Sequence, residues 1–299
     1  MDYSSHQSPL PLSPSAPKRE RLSRKTPVRG IGRGLSDLRR VHSRRTTASV
    51  MVGSPRVLYA LEGDVPRPDA GNATIRIEPW HYGPMTSDDN PALSPDHSDS
   101  NRATYDRIAQ RYAETQEKSR TESDDLFFEL ESSFIAKLPA KAVVVDMGCG
   151  PGMDSARFAA RGYRVVGLDL SAGMLAVAAR SLPGRVVQGD MRALPIGSHR
   201  LDGIWSVASL LHVPERDTPK VLSEFRRTLR SSGLLALVTA LGEGESFEEV
   251  PYAPNEERWF AYRHPETLLG QVVDAGFRID AQSQVTGNRL WITVLASPI

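Results

Sequence analysis

One cysteine, Cys149, stands among 299 residues. A single thiol excludes an internal disulfide framework and a CxxC zinc site, and no set of metal ligands is read from the chain. No run approaches the ~18 consecutive apolar residues of a membrane-spanning helix. The N-terminus lacks the apolar stretch of a secretory signal. Formal net charge is only +1, so the chain is not a uniformly basic nucleic-acid coat. These absences imply a soluble, cytoplasmic protein with no membrane partner.

The near-neutral sum hides an asymmetry. Residues 1–50 hold 11 Lys or Arg against 3 Asp or Glu, and the rest of the chain holds 26 against 33. Over residues 1–100, Pro, Ser, Arg and Gly dominate and no apolar period persists. Such composition buries too little apolar surface to offset ordering entropy, so this stretch is expected to be a disordered leader. Three readings of it stand open. It is a tail without a defined role, or translation starts at Met51 or Met85, or it is a targeting peptide or nucleic-acid-binding arm, its Arg- and Ser-rich make-up resembling a transit peptide.

From residue 101 the pattern changes. Tyr105, Ile108 and Tyr112 share one helical face, and Leu126, Leu130 and Phe134 mark a second helix. The run AVVVD over 142–146 predicts a strand buried on both faces. Strands are expected at 164–169, 185–188, 201–207 and 234–239, with helices between them, and a last strand pair at 277–283 and 290–296. This alternation implies an α/β domain over 101–299: a doubly wound, mainly parallel, seven-stranded Rossmann-like sheet with right-handed crossovers. Ligands bind such sheets beyond the carboxyl ends of the strands.

The first strand runs directly into Asp146-Met-Gly148-Cys-Gly150-Pro-Gly152. Glycines at alternate positions let backbone approach a bulky ligand. Alone, this is compatible with an ordinary tight turn. The second strand, however, ends in Asp169, 23 residues after Asp146, where a carboxylate can accept from two ribose hydroxyls. An acid ending a buried strand is costly unless something pairs with it. A dinucleotide fold needs G-x-G-x-x-G; from Gly148 the third position is Met153, and from Gly150 it is Ser155.

The D-x-G-C-G-x-G form instead resembles the class I S-adenosylmethionine-dependent methyltransferases, small-molecule branch. VVVDMGCGPG, VVGLDLSAGML, QGDMRALP, LDGIWSVASLLHV and DAGFRI follow in the family's order between Tyr105 and Ile299. The resemblance implies S-adenosylmethionine as cofactor and assigns roles residue by residue. Gly148, Gly150 and Gly152 would approach the methionine part, with Asp146 orienting their loop. Asp169 would hold the ribose, Leu170 and Met174 would pack on adenine, and Asp190 would accept from its amino group beside Met191. Ser206 would face the methionine part and the acceptor. Tyr105 and Tyr112 resemble the Y-x-x-x-A-x-x-Y element that closes over the cofactor. Leu170, Met174, Tyr105 and Tyr112 equally fit ordinary packing, and Asp190 fits a turn cap.

Methyl transfer from a sulfonium is an in-line displacement, and a base helps only when the acceptor carries a proton. His212 is the leading candidate base, since an ordinary imidazole titrates near neutrality; capping or packing is its other role. His264 is the second, in the aromatic and acidic segment 242–264, which reads as an acceptor lid or a self-packed surface excursion. A small-molecule acceptor is expected, attacked at O, N or C. Ser206-Val-Ala-Ser209 replaces the Pro-Pro-aromatic turn of enzymes that methylate exocyclic amino groups of nucleobases, and the net acidic domain disfavours nucleic acid. A non-catalytic cofactor-binding protein and an RNA-directed enzyme using the basic leader are the alternatives.

Overall fold

The structure, a computed structural model, describes residues 96–122 and 126–299. The leader read over 1–100, with Met51 and Met85, lies outside the described residues except for 96–100. Asp96 accepts from the Ser98 amide at 2.9 Å, and α1 (Ser98–Glu122) begins there. It is followed by α2 (Phe128–Lys137), β1 (Val143–Met147), α3 (Met153–Ala160), β2 (Arg164–Asp169), α4 (Ala172–Ala178), β3 (Val186–Gln188) and β4 (Leu201–Val207). The second half holds α5 (Thr218–Thr228), β5 (Leu229–Ala240), β6 (Glu245–Glu249), β7 (Glu257–Ala261), α6 (Pro265–Asp274), β8 (Phe277–Thr286) and β9 (Leu290–Pro298).

Seven strands form one sheet in the order β3-β2-β1-β4-β5-β9-β8. The pairs from β3 to β5 are parallel, and β9 is antiparallel to both β5 and β8. β1 is buried along its length, as its unbroken β-branched run requires. Its side chains alternate between two layers. Val143, Val145 and Met147 join Leu222, Phe225 and Leu268 on the side of α5 and α6. Val144 joins Phe134, Phe158 and Trp205 on the other. Gly203 lets α2 lie close on β4, because an added Cβ would stand 2.7 Å from Phe134 Cζ.

One expectation is corrected. β5 starts at Leu229, not 234; Leu229 pairs with Leu201 before a bulge shifts the register to Gly203–Leu234. The segment 242–264 contains a two-stranded antiparallel hairpin, β6–β7, outside the main sheet. Among the described residues, no helix is long and apolar enough to cross a membrane.

The chain leaves β3 at one edge and returns as β4 on the far side of β1. This order reversal opens a crevice at the carboxyl ends of β1, β2 and β4. α1 covers part of it by docking on α4. Asp106 of α1 accepts from the Ser171 hydroxyl at 2.6 Å and the Gly173 amide at 2.8 Å, while Ser171 caps α4 through the Met174 amide. A Cβ on Gly173 would lie 2.6 Å from the Asp106 carbonyl oxygen. Gly173→Ala is therefore expected to cost about 1–3 kcal/mol, read as a lower Tm. In the same denaturation experiment Gly270→Ala, with nothing within 4 Å of the new Cβ, leaves Tm unchanged or higher.

Candidate active site

An open cleft of about 780 Å³ occupies the crevice. Its floor is the β1–α3 loop, zipped to β2 by the Gly148 and Cys149 amides, which both donate to the Leu168 carbonyl at 2.7 and 3.0 Å. Gly148 has φ 69°, and a Cβ there would stand 2.4 Å from Ser209 Cβ. Gly150, φ 52°, borders the cleft, and its missing Cβ leaves open space with only Tyr112 at 3.9 Å. Gly148 needs glycine for its left-handed backbone and for the close approach of Ser209, and Gly150 for its left-handed backbone.

Asp169 closes the loop from the other side. Its two oxygens accept separately, from the Gly150 amide at 2.8 Å and the Ser171 amide at 2.8 Å. Burial raises its carboxyl to about 6 despite those bonds, and no cation pairs with it among the described residues. The carboxylate borders the cleft with lone pairs to spare, and additional hydroxyl donors would favour its charged form. This is a fit for a ribose diol. The open space at Gly150 and the apolar patch of Leu170, Met174 and Met191, which also line the cleft, fit the remainder of an adenosyl amino acid.

Asp146, expected to orient the loop, sits beneath it, whereas Gly152 and Ser206 do not face the cleft. Asp146 is buried beneath the loop, where it accepts from the Ser155 amide and hydroxyl at 3.1 and 2.6 Å. Burial and neighbouring Asp154 push its carboxyl well above the usual range; its work is to fasten the start of α3. Gly152 N-caps α3 with φ 81°, facing Ala178 rather than the cleft. Ser206 is fully buried in β4 and meets Ser209 Oγ at 2.9 Å; it is Ser209, one turn later, that borders the cleft.

Asp190 does line the cleft, but Arg192 holds it from its own loop. The Arg192 amide and Nε donate to Oδ1 at 2.8 and 3.0 Å, and Nη2 to Oδ2 at 2.6 Å. Nη1 reaches Asp96 and Asp217, each at 2.9 Å. A buried cation with three carboxylates thus ties the β3 loop to the entry of α1 and the start of α5.

Tyr105, Tyr112 and His212 form the far wall of the cleft. The Tyr105 hydroxyl lies 2.8 Å from His212 Nε2, and His212 Nδ1 lies 2.9 Å from the Trp259 carbonyl. Asn101 Nδ2, 3.1 Å from Nδ1, gives its hydrogen to the Trp259 carbonyl, and that carbonyl, the nearer neighbour, can only accept; Nδ1 is therefore assigned the proton, and Nε2 accepts from Tyr105. Burial lowers the imidazole to about 4 and raises the Tyr105 phenol to about 12, so both are neutral near pH 7. Asn101 completes the brace, taking the Trp259 amide at 2.7 Å and giving to its carbonyl at 2.9 Å. Asn101 was not singled out in the sequence, although it lies on the α1 face of Tyr105 and Tyr112. His264 is exposed at the N-cap of α6 and does not line the cleft.

The geometry matches known proteins. Residues 144–233 fit the family described as a methyltransferase domain. A malonyl-[acyl-carrier protein] O-methyltransferase of Enterobacter lignolyticus is 34% identical over 175 residues, 56% of this chain and 66% of that protein. A trans-aconitate 2-methyltransferase of Deinococcus radiodurans is 43% identical over 100 residues, 32% of this chain and 37% of that protein. The chain thus spans less than two thirds of the length of these relatives. Among solved structures, the 1,6-didemethyltoxoflavin-N1-methyltransferase of Burkholderia thailandensis superposes with TM-score 0.51 at 20% identity, covering 73% of this chain and 98% of that one. A SAM-dependent methyltransferase of Methanosarcina mazei gives TM-score 0.51 at 20% identity, covering 55% and 96%. Residues 144–233 thus match a methyltransferase domain, and the fold is the one seen in solved S-adenosylmethionine-dependent methyltransferases.

The raised Asp169 carboxyl has a measurable consequence. A diol donates best to the ionised form, so S-adenosylhomocysteine affinity should fall as pH drops through about 6, approaching tenfold per pH unit below it. Calorimetry from pH 5 to 8 measures this. Asp169→Asn should bind weakly at every pH and lack that inflection.

Proposed function

We propose that this chain is an enzyme that transfers the methyl group of S-adenosylmethionine to a small-molecule acceptor at O, N or C. The observation that carries the reading is the half-buried Asp169 carboxylate bordering the cleft while tied to the Gly150 amide. Asp169 accepts the ribose hydroxyls, and Gly148 and Gly150 admit the methionine part. Leu170, Met174 and Met191 pack against adenine, and Asp190, aimed by Arg192, accepts its amino hydrogens. When bound, the cofactor supplies a methyl carbon on a positively charged sulfur.

The protein's contribution is then alignment and exclusion of water. Tyr105 and Tyr112 cover the cleft from α1. His212 is a positioning residue for Tyr105 rather than a base, because its one lone-pair nitrogen already accepts from Tyr105. The relatives named for a malonyl group on its carrier and for trans-aconitate support an acidic metabolite as acceptor. Cytoplasmic residence is part of the same reading and rests on the sequence.

Incubation with methyl-labelled S-adenosylmethionine and a deproteinised metabolite extract tests the proposal by mass spectrometry. The expected result is a labelled small product heavier by CH2, absent with Asp169→Ala. Tight binding of S-adenosylhomocysteine without any labelled product would contradict transfer and leave a cofactor-binding protein.

A further inference from the structure

A buried cation that no carboxylate touches lies next to the cleft wall. Arg263 comes just after β7, and its amide donates to the Ala240 carbonyl at 3.1 Å while its carbonyl accepts from the Gly242 amide at 3.2 Å. These bonds fix its backbone at the carboxyl end of β5. The residue is 0% exposed. Burial pulls its guanidinium down to about 10, so it stays charged near pH 7. Arg263 forms no ion pair among the described residues, and its Nε is buried without a hydrogen-bond partner. Glu215 and Glu245 are the acids whose charge reaches it.

The guanidinium bonds instead to main-chain carbonyls, and these belong to two elements. Nη1 donates to Ala261 at 2.8 Å and to Tyr262 at 3.4 Å, at the end of β7. Nη2 donates to Leu210 at 3.3 Å and to Val213 at 2.7 Å. Leu210 and Val213 bracket His212 in the short turn Leu210–His212 that follows β4. The chain enters that turn through Ala208, whose φ of 52° is left-handed. An alanine has neither glycine's freedom nor a polar side chain to support such a backbone, which persists only where its surroundings over-determine it. The segment it opens brings Ala208, Ser209, His212 and Val213 to the cleft. Ser209 Cβ stands 2.4 Å from where a Cβ on Gly148 would lie, and His212 Nε2 holds the Tyr105 hydroxyl. A guanidinium taken out of water without an anion is costly. Here its bonds tie down the segment that forms the cleft wall.

We propose, on the methyl-transfer reading above, that Arg263 is a positioning residue for the cofactor site: its guanidinium fork spans from β7 to the turn after β4 and holds His212 where Nε2 accepts from Tyr105. Arg263 does not border the cleft, so it touches no ligand there. It acts through the His212 ring, which fixes Tyr105 over the glycine loop. With the fork removed, the Leu210 and Val213 carbonyls lose their tie to β7, and the turn is free to shift the imidazole away from the phenol. Lysine is no substitute, because an ammonium is a point charge without the planar fork that bonds both elements at once.

The test uses the full chain, S-adenosylhomocysteine as the probe and two variants. Arg263→Met removes the fork and the charge, and Arg263→Lys keeps the buried charge, so that one remains informative if the other does not fold. Calorimetry gives the affinity. NMR of isotope-labelled histidine, with the His212 signal identified by its loss in His212→Phe, gives the tautomer of that ring. Wild type should bind and show a single Nδ1–H tautomer at His212. In both variants S-adenosylhomocysteine should bind about tenfold more weakly, and His212 should exchange between tautomers. A role confined to stability would lower Tm and leave both readouts of the folded protein where they are. Unchanged affinity in a folded variant would refute the proposal. So would weaker binding with an unchanged His212 signal, because the effect would then not run through the ring. Failure of wild type to bind S-adenosylhomocysteine would remove the cofactor reading and this proposal together, whereas wild-type binding that the variants retain in full removes this proposal alone.

Discussion

The structure turns on one carboxylate held between two loops. Asp169 ends β2 and spans from the Gly150 amide to the Ser171 amide. It thereby fixes the glycine loop that follows β1 against the start of α4. Taking a carboxylate out of water is unfavourable, and its raised titration records that cost. Backbone donors offset part of it, and the cleft side of the group is left for donors on a ligand. The same loop needs glycine at Gly148 and Gly150, where φ is positive and the ligand space begins.

The second constraint is α1, which polar contacts tie to the domain at several points. Asp106 locks it to α4, Asn101 locks it to β7, and Asp96 at its entry joins the Arg192 cluster. Tyr105 then becomes a shared wall. One side faces the cofactor cleft, and the other faces the hairpin with Arg258, Phe260 and Tyr252. A cover tied at several points by hydrogen bonds can open locally without disturbing the sheet, which suits a site that must admit and release ligands.

Much of this was legible in the sequence. The β-branched run over 142–146, the glycine loop and the acid at 169 identify the sheet and its ligand-binding edge, because each is a local response to burial or to a backbone approach. The strand order could be read only as far as right-handed crossovers allow. The positions whose surroundings only the fold reveals share a cause: they depend on tertiary register. Ser206 falls on the buried side of β4 while Ser209, past the strand, turns to the cleft. His264 stands in solvent at the position just before α6. Asp190 resembles a free acid until Arg192 folds back on it. Arg258 sits in the run EERWF beside two glutamates, where a local ion pair would be the natural inference; only the fold shows Glu256 paired with Arg107 and Glu248 with Arg289.

A structure of the chain with S-adenosylhomocysteine tests the central claim most directly. The account predicts both ribose hydroxyls within hydrogen-bond distance of the Asp169 carboxylate and the amino-acid end beside Gly148 and Gly150. A ribose turned away from Asp169, or the ligand seated outside the cleft at the ends of β1, β2 and β4, would contradict it.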